Sequence, residues 1–374
     1  MRSLILLCLL TAASTCAAET LVYFGTYTRG RSDSRGIYVA RFNETTGELS
    51  APRLAAEAAN PSFVAIAPNG RTLYAASESG SGDDAVGIVS FKINRDGSLT
   101  RLNGRSCGGP GACHVAVTPD GRSVGVANYS GGSCALFPVQ TDGSLGPIGS
   151  FHQHTGHSVH PRRQSGPHAH SINFNTDGSQ AFVADLGLDK ILIYDVDSTS
   201  GTMTPADPPS MPLPEGTGPR HFCFVPNAQA AVTNLEMSSQ VALLKYDNEN
   251  GTLALSQIVS TLPENTDRSG NSTAECLVHP NGRYAYVSNR GHNSIAIFRI
   301  DAEDATITPL GHQPTGGETP RGFGIHPSGD FLIVGNQNSG NVTTFRINPE
   351  TGMLSRVGDE IKIDAPVNVR FLVR

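Results

Sequence analysis

Residues 61–78 read PSFVAIAPNGRTLYAASE: an apolar strand, a Pro-Asn-Gly turn and a second apolar strand. The same unit returns as CHVAVTPDGRSVGVANYS (113–130), HSINFNTDGSQAFVADLG (170–187), RHFCFVPNAQAAVTNLEM (220–237), AECLVHPNGRYAYVSNRG (274–291) and RGFGIHPSGDFLIVGNQN (321–338), roughly fifty residues apart. Asn-Gly and Asp-Gly supply the positive φ values that a tight hairpin needs. A third strand follows each copy, as in GIVSFKI (87–93) and SIAIFRI (294–300), and then a turn such as NRDGSLT (94–100) leading to a fourth, outer segment. The N-terminus holds an incomplete copy: LVYFGTYT (21–28) matches a second strand and GIYVARF (36–42) a third, with no first strand ahead of them. PVNVRFLVR (366–374) has the missing first-strand pattern. The spacing therefore predicts an all-β, seven-bladed β-propeller of four-stranded antiparallel blades, its ring closed by pairing the two ends in one blade. Its core is expected between neighbouring blades.

Composition agrees. With 41 Gly, 24 Pro, no Trp and few charged residues, the chain suits many short strands joined by turns and not long amphipathic helices. The opening MRSLILLCLLTAASTCAAET has the layout of a secretory signal peptide: Arg2, an apolar run from Leu4 to Leu10, then small residues. That run is too short to span a bilayer. The expected organisation is a signal peptide over 1–18, cleaved after Ala18, and a single propeller domain over 19–374, exported to the periplasm or the extracellular space. Five cysteines follow residue 18, an odd number that leaves at least one thiol free; Cys107 and Cys113 could close a short loop. A net charge of −6 gives no reason to expect nucleic acid as a partner. No membrane span is expected in the mature chain, and nothing in the sequence fixes an oligomeric state.

In an antiparallel blade, the start of the first strand and the end of the second lie at one rim. Aligning the copies on their turns gives a first-strand column of Ser62, Cys113, His170, Arg220, Ala274, Arg321 and Val367, with His168 and Glu275 close by. The second-strand ends are Thr26, Ser77, Asn128, Asp185, Asn234, Asn289 and Asn336; Arg290 follows Asn289, and Glu236 lies two places beyond Asn234. His168, His170, Arg220, Glu236, Glu275, Arg290 and Arg321 are thus predicted at one mouth of the channel, a concave place suited to a ligand. Arginines there are costly to bury unless paired or holding an anion. The Asn and Asp column is expected to tie backbone, His221 and His326 to be core or hydrogen-bonded, and His152, His154, His157 and His160 to belong to a solvated insertion. His-X-His spacing at 152/154 and 168/170 could ligate a metal, but no Asp or Cys pattern supports a closed site, so neither metal nor cofactor is expected.

Taken together, RQSGPHAHS (163–171), DLGLDKILIY (185–194), GPRHFCF (218–224), NLEMSS (234–239) and VSNRGHNSIAIF (287–298) resemble the bacterial lactonase β-propeller family. That family includes a 6-phosphogluconolactonase type, and fungal carboxy-muconate lactonising enzymes are its relatives. The resemblance implies a functional His in PHAH (His170, with His168 beside it), Arg220, Glu236 and Arg290 as catalytic candidates. Substrate-binding candidates are His168, Arg321, Glu275, Arg163 and Gln164. The implied reaction is hydrolysis of a small anionic sugar lactone by a carboxylic-ester hydrolase. Glu236 would be its general base with His170 as partner or acid, Arg220 would stabilise the oxyanion, and Arg290 and Arg321 would hold the substrate's carboxylate or phosphate. No Gly-X-Ser-X-Gly elbow is present to support a covalent route. The alternatives are a muconate-type lactonising cycloisomerase and a non-catalytic propeller that binds small anions or a protein partner.

Overall fold

The computed structural model describes residues 19–30, 32–78 and 86–374. The expected signal peptide lies outside the described residues. Among those described, no helix is long and apolar enough to cross a membrane.

Among the described residues, twenty-eight strands form seven four-stranded antiparallel sheets, here blades 1 to 7. Blade 1 is the split one: its innermost strand, Pro366–Val373, pairs with Thr20–Thr26, in register from Thr20 opposite Val373. The innermost strands of blades 2 to 7 are Pro61–Ile66, Ala112–Val117, Ala169–Phe174, Pro219–Phe224, Ser272–Val278 and Pro320–Ile325. Each contacts the innermost strands on either side, and Pro366–Val373 bridges blades 7 and 2, so the ring closes around a central channel.

Seven apolar clusters hold the ring, one in each gap between blades. Leu21, Tyr23 and Val39 of blade 1 meet Val64, Leu73 and Phe91 of blade 2 in the first; Phe331 and Ile333 of blade 7 meet Val22, Phe24 and Val369 of blade 1 in the last. Strand alternation presents one apolar face to each neighbour, and burial of those faces is the dominant favourable term.

The inner hairpins differ in detail from the tight turn expected. The amide of Ala67 bonds the Thr72 carbonyl and that of Gly70 bonds Ala67, so four residues turn the chain. Only Gly70, at φ +67°, is left-handed in that turn; the Asn69 side chain instead accepts the Arg71 amide at 2.9 Å. Blade 5, with Ala228 where the others have Gly, puts Asn227 at φ +58° instead.

One irregularity recurs in every blade. The register of each innermost strand shifts at its second or third residue: around Ser62, Cys113, His170, Arg220–His221, Ala274–Glu275, Arg321 and Val367. Such a bulge re-aims side chains that strict alternation would send to opposite faces. This device builds the channel lining.

Candidate active site

At the mouth, a bulge, a second-strand end and the loop between blades 3 and 4 bring three arginines onto one carboxylate. Glu236, just past the second strand of blade 5, has Arg163 Nη2 2.7 Å from Oε1, with Arg220 Nε at 3.0 Å and Arg290 Nη2 at 3.2 Å from Oε2. Arg163 comes from the loop between blades 3 and 4 and also reaches the Tyr129 hydroxyl. Burial alone would push Glu236 up, but Arg290, Arg220 and Arg163 outweigh it and hold the carboxyl at about 2. The expected base is poorly placed to take a proton, because its two oxygens are engaged by three guanidinium groups that hold it ionised. Its carboxylate gathers guanidinium groups instead.

Arg220 is almost wholly buried. Its Nη1 donates to the Ala274 carbonyl and lies 3.0 Å from His221 Nε2; Nε lies 3.0 Å from Glu236 in an ion pair without hydrogen-bond alignment, and Nη2 has no hydrogen-bond partner among the described residues. Burial, with Arg321 and Arg290, brings the guanidinium down to about 10. Arg290 is also tied through Nη2 to the Thr273 carbonyl at 2.8 Å. Arg321 stacks over Tyr27, 5.3 Å from its ring centre, and makes no hydrogen bond or ion pair among the described residues. A cleft of about 910 Å³ opens beside it, lined by Tyr27, Arg29, Glu78, Arg321, Gln337 and Asp364.

His168 and His170 flank Tyr129. His168 Nδ1 donates to the Tyr129 carbonyl at 2.9 Å and its ring stacks on the tyrosine; His170 meets the same ring edge-on. Burial, then Arg220, His221 and Arg321, drives His170 well below the usual imidazole value, so the ring is neutral near pH 7. Its only hydrogen-bonding neighbour among the described residues is the Cys113 thiol, 3.9 Å from Nδ1.

Two expected substrate contacts lie elsewhere. Gln164 is fully buried, its amide donating to the Leu186 carbonyl and its oxygen accepting the His160 amide, so it shapes the loop that carries Arg163. Glu275 sits one layer below the mouth, bonded to His221 Nδ1 at 2.5 Å. His221 is hydrogen-bonded as expected but lies in the channel: its ring touches Phe63 of blade 2, His114 of blade 3 and His170 of blade 4. Arg370 of blade 1, stacked on Phe63, continues this second layer toward a 270 Å³ cavity in the lower channel. His114, His221 and Arg370 were not placed in the channel by the turn alignment, and Glu275 was placed at the mouth and not in the layer beneath it. The bulge accounts for His114, His221 and Glu275, because it turns two successive residues inward.

The remaining candidates are structural. Asp185 binds His154 Nδ1 at 2.6 Å and accepts the amides of His168, Gly187 and Leu188. Asn234 holds the His221 amide, and Asn289 the Thr261 carbonyl. His154 is thus buried against blade 4, whereas His157 is exposed and His152 and His160 are half-buried. No group of three or more His, Cys, Asp or Glu gathers as a metal site among the described residues. Cys107 and Cys113 are separate buried thiols, as are Cys134 and Cys276; Cys223 is also free, so the possible short disulfide loop is not formed.

A closed ring of seven four-stranded blades, with arginines gathered on one carboxylate at the channel mouth, defines the class of protein. The chain belongs to the family described as "Lactonase, 7-bladed beta-propeller", whose profile matches residues 21–371. It is 36% identical over 352 residues to a 6-phosphogluconolactonase of Bacillus subtilis, covering 94% of this chain and 97% of that one. A 6-phosphogluconolactonase of Formosa agariphila is 33% identical, covering 81% and 86%. Among solved structures, the periplasmic gluconolactonase of Pseudomonas aeruginosa superimposes with a TM-score of 0.86 at 31% identity, covering 95% of this chain and 99% of that one.

Proposed function

We propose that the protein hydrolyses a sugar lactone of the gluconolactone class at this mouth. The observation that carries the reading is the Arg163–Arg220–Arg290 cluster on Glu236, set beside the unpaired Arg321 and the neutral His170, in a chain whose relatives are named as gluconolactonases. The lactone carbonyl oxygen takes the free Nη2 of Arg220, and Arg321 holds the phosphate or a ring-hydroxyl edge of the sugar in the adjoining cleft. Water attacks the carbonyl carbon and gives its proton to His170. The tetrahedral oxyanion then collapses, the ring C–O bond breaks, and His170 returns the proton to the leaving alkoxide, yielding the open hydroxy acid. Arg220 and Arg321 disfavour the imidazolium at rest; a developing oxyanion offsets them, so His170 gains basicity as the transition state forms, the differential that catalysis requires.

The test is turnover of glucono-δ-lactone and its 6-phosphate by the purified protein. Replacing Arg220 by Ala is expected to lower kcat roughly a hundredfold or more; wild-type rates in that variant would end the proposal. A muconate dicarboxylate in the same assay tests lactonisation, and binding of lactone without turnover would point to the non-catalytic reading. We further propose export, checked by fractionating cells and sequencing the mature N-terminus, which should begin at Glu19.

A further inference from the structure

Arg220 can serve an oxyanion only if its guanidinium plane is fixed, and its own ion pair does not fix it. Glu236 lies 3.0 Å from Nε but is not aligned for a hydrogen bond with it, and Glu236 is shared with two other arginines. The orientation comes from Nη1, whose two hydrogens have two acceptors: the Ala274 carbonyl and Nε2 of His221. A histidine nitrogen accepts only when it carries no proton, so the ring must be neutral with its hydrogen on Nδ1. Nδ1 faces Glu275 Oε1 at 2.5 Å, and an ionised carboxylate can only accept. The chain Glu275–His221–Arg220 thus has one consistent proton arrangement.

Three further facts fit this arrangement. Glu275 is buried with Oε2 unpartnered among the described residues, a costly placement for a carboxylate whose one strong bond is to His221. Burial, aided by Arg220 and opposed by Glu275, pushes His221 down to about 4, which keeps the accepting form at neutral pH. The other titratable groups around His221 are His114, His170 and Arg370, and each is itself pushed down by burial.

We infer that Glu275 and His221 are positioning residues for the lactonase reaction: Glu275 fixes the Nδ1–H tautomer of His221, and His221 Nε2 locks the Arg220 guanidinium so that Nη2 points at the substrate. Neither touches the lactone. The inference rests on the role proposed above for Arg220, and it replaces the substrate contact expected of Glu275.

The experiment compares Glu275→Leu, Glu275→Gln and Arg220→Ala, alone and combined, with glucono-δ-lactone as substrate. Glu275→Leu frees the His221 proton to move to Nε2, where it opposes Arg220; kcat should fall between about tenfold and a hundredfold with KM within about threefold. Glu275→Gln keeps an acceptor oxygen for Nδ1–H and should recover most of that loss. In the Arg220→Ala background, Glu275→Leu should cost nothing further, because its effect runs through the missing group. Nitrogen-15 NMR of the wild type, which needs no variant to fold, should show His221 protonated on Nδ1 and bare on Nε2. An Nε2–H tautomer, additive losses, or full activity in a folded Glu275→Leu protein overturns the inference while leaving the site reading intact. Full activity in Arg220→Ala removes both.

Discussion

Charged groups are buried at this mouth in a proportion that makes it acid-sensitive. At the mouth and in the layer beneath it, the buried guanidinium groups of Arg220, Arg290, Arg321 and Arg370 and the buried carboxylates of Glu236 and Glu275 surround the buried imidazoles of His114, His170 and His221, with the more exposed Arg163 and Glu78 at the rim. Burial comes first among the causes that push all three imidazoles below the usual histidine value, His221 to about 4. The unfolded chain takes up these protons near its ordinary value of 6.5, and the folded chain resists until lower pH. The stabilisation is therefore present above about pH 6.5 and is lost as pH falls below it, for His221 toward about 4, by up to about 1.4 kcal/mol per pH unit for that imidazole; His114 and His170 act in the same direction. Glu236 adds a second window of the same sign, present above the ordinary carboxylate value and lost as pH falls toward 2. Denaturant midpoints should drop between pH 7 and pH 4.5, and His114→Gln should flatten part of that slope; a midpoint independent of pH over this interval contradicts the account. The residue types at the mouth were legible from the turn alignment because they recur at fixed distances from a recognisable turn. Their roles were not: whether Glu236 is a base or a clamp depends on how many arginines converge on it, and that count is a property of the closed ring.

The repeated blade explains why the strands could be read so completely from the sequence and the channel only in part. Period-two alternation and turn residues are local, so the split copy at Leu21 and Pro366 could be paired from pattern alone. The bulge is set by contact with the neighbouring strand, and it leaves no mark that alternation can detect. One such contact is visible at Gly322, where an added Cβ would lie 2.2 Å from the Val367 carbonyl oxygen of the adjacent innermost strand. Gly322→Ala should push these strands apart and destabilise the fold by about 2 kcal/mol or more, read from the denaturant midpoint. A gentler probe is the buried bond between blades that recurs in the second strands. Tyr23, Tyr74 and Tyr286 donate from their hydroxyls to Gly97, Gly143 and Gly352 in the outer turn of the next blade, at 2.9, 3.0 and 2.8 Å. Tyr74→Phe removes one donor and leaves a carbonyl short of a partner, which should cost about 1–2 kcal/mol without altering turnover.

At the scale of the whole molecule, the mouth depends on closure, since Glu236 and Arg220 of blade 5 meet Arg290 of blade 6 and Arg163 from the loop between blades 3 and 4, and Phe63 of blade 2 meets His221 of blade 5 only across the channel. Closure is made by Pro366–Val373, which pairs with Thr20–Thr26, packs on the innermost strands of blades 7 and 2, holds the Val64 amide through Asn368 at 3.0 Å and supplies Arg370. Removing residues 366–374 strips blade 1 of its innermost strand and exposes the apolar faces of Val22, Phe24 and Ile333. Such a chain should lose cooperative unfolding and lactonase activity together, because an open ring has both an unpaired sheet edge and a dispersed site. If closure by pairing is what matters, and not the position of the chain ends, then moving those ends should be harmless. The Arg374 amide bonds the Glu19 carbonyl at 3.2 Å, so a short linker can join them. New ends can be opened in the exposed outer turn of blade 5 at 248–250. That circular permutant should fold, melt in one transition and turn over glucono-δ-lactone within a few-fold of the parent, with blade 1 made continuous and blade 5 now split. A permutant that folds but is inactive would mean that the native chain ends, and not the ring alone, hold the mouth in shape.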